Sequence, residues 1–75
     1  MSEAAGGANS ATNALKRARA VLATQAQAAE FDADLPELTD RGEEWLVRFP
    51  RLSAAKPAYA VFAVEKKSGA ARMMP

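Results

Sequence analysis

The chain contains neither cysteine nor histidine. The first absence excludes disulfides and thiolate metal sites. The second removes the commonest metal ligand and the commonest general base. Both absences matter in a chain of 75 residues. A domain this small buries only about 60% of its unfolded surface, and such domains often rely on disulfides, metals or partner chains. Support must come from packing or from a second chain. Long apolar runs are missing too: none approaches the roughly 20 residues that span a bilayer. No basic segment followed by an apolar one marks a secretory leader. The expectation is a cytoplasmic protein with no membrane segment, and the lack of cysteine is compatible with a reducing compartment.

An excess of either charge is also missing, since the formal net charge is only +1. The distribution is uneven. Residues 1–29 carry Lys16, Arg17 and Arg19 against Glu3. Residues 30–44 carry Glu30, Asp32, Asp34, Glu37, Asp40, Glu43 and Glu44 against Arg41 alone. Residues 45–75 return to Arg48, Arg51, Lys56, Lys66, Lys67 and Arg72 against Glu65. The chain is striped, and its acidic stretch is the most polarised part.

Residues 1–10 are small and polar and include Gly6 and Gly7. They offer too little apolar surface to offset ordering, so a disordered tail is expected. Ser10 or Thr12 supplies an N-cap oxygen. From Ala11 to Ala29 the residues are mostly strong helix formers, with Ala11, Leu15, Ala18, Leu22, Ala26 and Ala29 on one stripe. This face is shallow, with Leu15, Leu22 and the flanking Val21 as its only large members, so the facing sheet must supply the bulk. Residues 35–39 read as an edge strand or a loop because of Pro36. Asp40-Arg41-Gly42-Glu43 reads as a turn.

Beyond it, Trp45, Val47 and Phe49 alternate with Glu44, Leu46 and Arg48, the pattern of a half-buried strand. Prolines 50 and 57 bound a loop. Ala58 to Glu65 is apolar on both faces, as in a central strand or an interface. Lys66-Lys67-Ser68-Gly69 forms a hairpin turn, and Ala70 to Met74 returns. The reading is a single α+β domain over residues 11–75: one N-terminal helix on a curled antiparallel meander of three to four strands.

Chemistry is sparse. Ser10, Ser53 and Ser68 have no histidine to activate them, and Lys56 would act as a base only if strongly desolvated. Asp32 and Asp34 with Glu30 or Glu37 could offer oxygen ligands, but the glycine and terminal glutamate of a calcium loop are absent. Glu43 and Glu44 are consecutive strand residues that point to opposite faces and do not converge. No enzyme activity, metal or cofactor is expected. Lys16, Arg17 and Arg19 with Lys66, Lys67 and Arg72 make a basic set, but no aromatic residue is interleaved as a stacking platform requires. Nucleic acid is therefore a secondary reading.

The order of helix and meander resembles small cystatin-like domains. The segments Gly42-Glu43-Glu44-Trp45-Leu46-Val47 and Ala60-Val61-Phe62-Ala63-Val64-Glu65-Lys66-Lys67-Ser68-Gly69-Ala70-Ala71-Arg72 carry the likeness. They look like the closing strands of immunity proteins of the nuclear-transport-factor-2 fold or the YrhB type, and of PepSY domains. The resemblance implies a non-catalytic protein that binds and blocks a toxin or peptidase. The expected function is a protein-binding inhibitor of the immunity or anti-defence kind. Asp32, Asp34, Glu37, Asp40, Glu43 and Glu44 would engage a partner with a basic surface. Tyr59 and Phe62 mark an open sheet face that would serve as an interface, including for a homodimer. The alternatives are a nucleic-acid-associated regulator using the basic helix face, and an assembly subunit.

Overall fold

A computed structural model describes residues 10–74. The expected tail lies, apart from Ser10, outside the described residues. Helix α1 spans Ala11–Leu22. Ser10 is its N-cap: the backbone is extended there, and the hydroxyl accepts a hydrogen bond from the Asn13 N–H at 3.2 Å, satisfying one of the orphan donors of the first turn.

The helix ends at Leu22, whereas the composition predicts helix to Ala29. Two features account for the early stop. The Thr24 hydroxyl donates back to the Val21 carbonyl at 2.6 Å, while the Thr24 and Gln25 N–H groups bond to Val21 and Leu22 at three-residue spacing. These bonds satisfy the last carbonyls and tighten the final turn. Beyond Leu22 the stripe offers only Ala26 and Ala29, both exposed, so continuing the helix would bury little. The chain instead passes through a short 3₁₀ turn, Ala28–Glu30, which delivers Phe31 into the core. The buried stripe is Ala14, Ala18 and Leu22, with Leu15 and Val21 packed beside it; Ala11 is exposed.

Four antiparallel strands follow: β1 (Glu37–Asp40), β2 (Glu44–Pro50), β3 (Tyr59–Glu65) and β4 (Ala71–Met73), in the spatial order β1-β2-β3-β4. The molecule is thus an α+β domain, one helix on one face of an open meander. Pro36, which cannot donate to a ladder, sits just outside β1. The β1–β2 turn places Gly42 at φ 89°, and the Asp40 carboxylate accepts its N–H at 2.9 Å. The β3–β4 turn places Gly69 at φ 78°. Both turns use glycine where positive φ would strain any other residue.

Strand alternation sets the two faces. Val47 and Phe49 of β2 and Ala60, Phe62 and Val64 of β3 pack on the alanine stripe. The Phe49 and Phe62 rings meet edge to face, with centroids 5.8 Å apart at 70°, the arrangement that their quadrupoles favour. The expectation that places Phe62 on the open face is corrected here: Phe62 is fully buried against α1, because it shares its parity with Ala60 and Val64. Tyr59, of opposite parity, is 37% exposed. No helix of the described residues is long and apolar enough to cross a membrane.

Replacing Phe62 by alanine should cost about 3–5 kcal/mol in urea unfolding, through lost burial and a residual cavity. The exposed Leu52→Ser should stay within about 0.5 kcal/mol of the parent.

Candidate protein-binding end of the sheet

The acidic residues singled out in the sequence do not form one continuous patch, because the meander folds the acidic stretch alongside the basic one. Glu37 lies directly opposite Arg48 in the β1–β2 ladder, and the two side chains form an ion pair. Asp40 accepts from Lys66 Nζ at 2.7 Å. Glu44 faces Arg72 at 3.6 Å. Glu30 holds Arg51 Nη1 at 2.7 Å. The Arg51 side chain is only 7% exposed, whereas Glu37–Arg48, Asp40–Lys66 and Glu44–Arg72 each have a well-exposed member and contribute little to stability. Their main effect is to take Glu37, Asp40 and Glu44 out of the set of carboxylates available to a partner. Asp32, Asp34 and Glu43 form no ion pair among the described residues.

The basic residues are employed in the same way. The Arg19 guanidinium of α1 donates through Nε and Nη2 to the Ala33 carbonyl, at 3.0 and 2.8 Å, so it is not free for a basic helix face. Lys66 lies over the Trp45 ring at 4.8 Å and Arg48 over Tyr59 at 5.1 Å. Arg51 covers the Phe31 ring at 4.7 Å while donating to the Pro57 carbonyl at 3.0 Å. These cation–π contacts shield the aromatic rings at the sheet margins.

One end of the sheet differs from the rest. Leu35 precedes β1, Leu52 follows β2 and Tyr59 begins β3, so the antiparallel order gathers them at the same end. Leu35 and Leu52 are each 65% exposed, and with Tyr59 they are three of the four exposed large apolar residues among those described. The loop that carries Leu35 is anchored. The Asp32 N–H donates to the Pro50 carbonyl at 2.7 Å, the Asp32 carboxylate accepts the Asp34 N–H at 2.9 Å, and Arg19 holds Ala33 between them. An isolated bridge, Phe31 with Arg51, fixes the base of this loop. Sequence reading singled out Asp32 and Asp34 but missed Leu35 and Leu52, and it put Arg19 on a basic helix face rather than on the Ala33 carbonyl. The two leucines stand in loop stretches with no periodicity. Arg19 binds a main-chain carbonyl, an acceptor that leaves no trace in residue identity.

Three of the remaining sequence candidates, Asp40, Glu43 and Glu44, lie at the opposite end. Asp40 and Glu43 flank the Gly42 turn. The Lys66 hydrogen bond, then the Gly42 N–H, holds the Asp40 carboxyl below its ordinary value of 3.8. The fold therefore favours ionised Asp40. Its contribution is complete above 3.8 and is lost as the pH falls through the lower folded value. Lys66→Gln removes the larger cause. The Asp40 titration followed by carboxyl-carbon NMR should then move up toward 3.8, and the acid-side loss of stability should shrink with it.

Comparison with protein-family models, with curated proteins and with solved structures finds no match for this chain.

Proposed function

We propose that this chain is a non-enzymatic protein-binding inhibitor that occludes a functional surface of a cytoplasmic partner, using the end of the sheet formed by Leu35, Leu52 and Tyr59. The observation that carries the reading is the gathering of these three exposed apolar side chains beside two carboxylates without ion pairs, Asp32 and Asp34, on a loop fixed by Arg19. Exposed apolar side chains beside a polar, charged border match the anatomy of an interface, an apolar centre within a polar rim. Anchoring the loop before binding lowers the ordering cost of association. The complementary partner surface is an apolar recess bordered by lysine or arginine. The absence of histidine and cysteine from the sequence leaves no conventional activated nucleophile, which favours occlusion over catalysis. The resemblance to immunity proteins points the same way. The acidic stretch contributes through Asp32 and Asp34, because Glu37, Asp40 and Glu44 are engaged internally.

The test begins with capture of the partner from host lysate on immobilised protein and continues by calorimetry with the purified partner. Leu35→Asp with Leu52→Asp should weaken binding by roughly 30-fold or more. Asp32→Lys with Asp34→Lys should slow association and remove its salt dependence. Glu37→Gln, Asp40→Asn and Glu44→Gln should leave the affinity within about threefold, the level of rim changes. A partner that tolerates the first two double variants yet is lost with the last three would place the binding surface elsewhere.

A further inference from the structure

Residues 51–58 join β2 to β3, and every residue from Leu52 to Ala58 is exposed. Burial therefore does little to set the shape of this loop. Polar ties do, and three of them begin at Arg51. Its N–H donates to the Ala58 carbonyl at 2.8 Å and closes the base of the loop. Its side chain is almost wholly covered. Nε donates to the Pro57 carbonyl at 3.0 Å, Nη1 holds the Glu30 carboxylate at 2.7 Å, and the guanidinium lies over the Phe31 ring at 4.7 Å. The Leu52 N–H adds another tie, to the Glu30 carbonyl at 2.9 Å. Pro57 and Ala58 belong to the loop. Glu30 and Phe31 lead into the segment that carries Leu35, which Arg19 and the Asp32 N–H anchor separately. A guanidinium suits this place, because its donors lie in one rigid plane and point in different directions while its face stays free to stack. A lysine would keep the charge but has no donor at the Nε position.

We propose that Arg51 is a positioning residue, a clasp that holds the 52–58 loop against the separately anchored 31–36 segment. It keeps Leu52 in a fixed place beside Leu35, so that the two leucines meet a partner as one preformed surface. The inference rests on the reading of this end as a protein-binding surface, and adds what keeps that surface in shape. Its physical basis is the cost of ordering. A freely moving loop would have to be fixed on association, and each side chain immobilised at that moment subtracts from affinity. The clasp fixes the loop beforehand, within the free protein. The Glu30 carboxylate supplies the charge-assisted half of the clasp, a role that its place in the acidic stretch does not reveal.

Distances within the free protein test the clasp. The chain has no cysteine, so two introduced cysteines carry two nitroxide labels and no others. Ala20→Cys, at an exposed position of α1, is paired in turn with Leu52→Cys, Leu35→Cys and Lys67→Cys. Pulsed dipolar spectroscopy should give a narrow distance distribution for each pair. In the Arg51→Lys background the distribution to position 52 should widen about twofold, while those to positions 35 and 67 keep their widths. Glu30→Gln, a milder change that leaves Arg51 in place, should widen the same distribution to a smaller extent. The two substitutions together should widen it no further than Arg51→Lys alone, because they remove one interaction. Toward the partner purified for calorimetry, Arg51→Lys should bind about tenfold more weakly. The proposal is overturned if neither variant widens the distribution to position 52. It is overturned equally if the pair with position 67 widens as much, which would make Arg51 a stabiliser of the whole fold. A released loop with unchanged partner affinity, where Leu35→Asp with Leu52→Asp weakens binding, overturns it too. Should that leucine variant also bind as the parent does, the surface reading fails, and the distance distributions still decide the clasp.

Discussion

The rest of the structure depends on the close approach of an alanine stripe to two phenylalanines. Ala14 and Ala18 have no side chain beyond Cβ, so α1 can lie near enough to the sheet for Phe49 and Phe62 to fill the space between them. Neither layer would bury much alone. The helix contributes smallness, the sheet contributes volume, and interior packing density demands that the two match. Larger residues on the stripe would lift the helix and open a gap over Val47 and Val64. Smaller residues on the sheet would leave a cavity that the helix cannot fill. Phe31 closes the end of this layer, which explains why the helix must stop early: a helix running on to Ala29 would carry Phe31 past the core.

Around that core the charges serve the fold before they serve anything else. The acidic and basic blocks of the sequence become neighbouring strands, and Glu37, Asp40 and Glu44 meet Arg48, Lys66 and Arg72 across the sheet. Lys66, Arg48 and Arg51 lie over Trp45, Tyr59 and Phe31 respectively. A small sheet with one helix cannot cover all of its aromatic surface, and flat cationic side chains complete the cover that a second helix would give in a larger protein.

Much of this was legible in the residues and some was not, for identifiable reasons. Gly42 and Gly69 marked both turns because positive φ has few other solutions. The alternation from Trp45 to Phe49 gave the inward face of β2, and of the two N-cap candidates, Ser10 and Thr12, the structure uses Ser10. The apolar run in β3 gave a central strand but not its orientation, since both faces are apolar; only pairing with β2 shows that Phe62 points in and Tyr59 out. The helix end was hidden because helix-forming composition continues past the last residue with something to bury against. The acidic residues read as one patch because register, which decides which carboxylate meets which base, lies in no single segment. The anchoring of the Asp32–Leu35 loop by Arg19 was equally invisible, as it joins a side chain to a main-chain oxygen from a different element.

The unequal strand lengths bear on how this sheet coexists with other proteins at high concentration. Two seven-residue strands lie at its centre, while its edges are only four and three residues long. Pro36 guards one edge, and Arg72 stands on the other. A long, flat edge would pair indiscriminately and seed aggregates, whereas short edges interrupted by proline and charge offer too few consecutive hydrogen bonds to hold a casual visitor. Short edges of this kind therefore limit indiscriminate pairing with other chains.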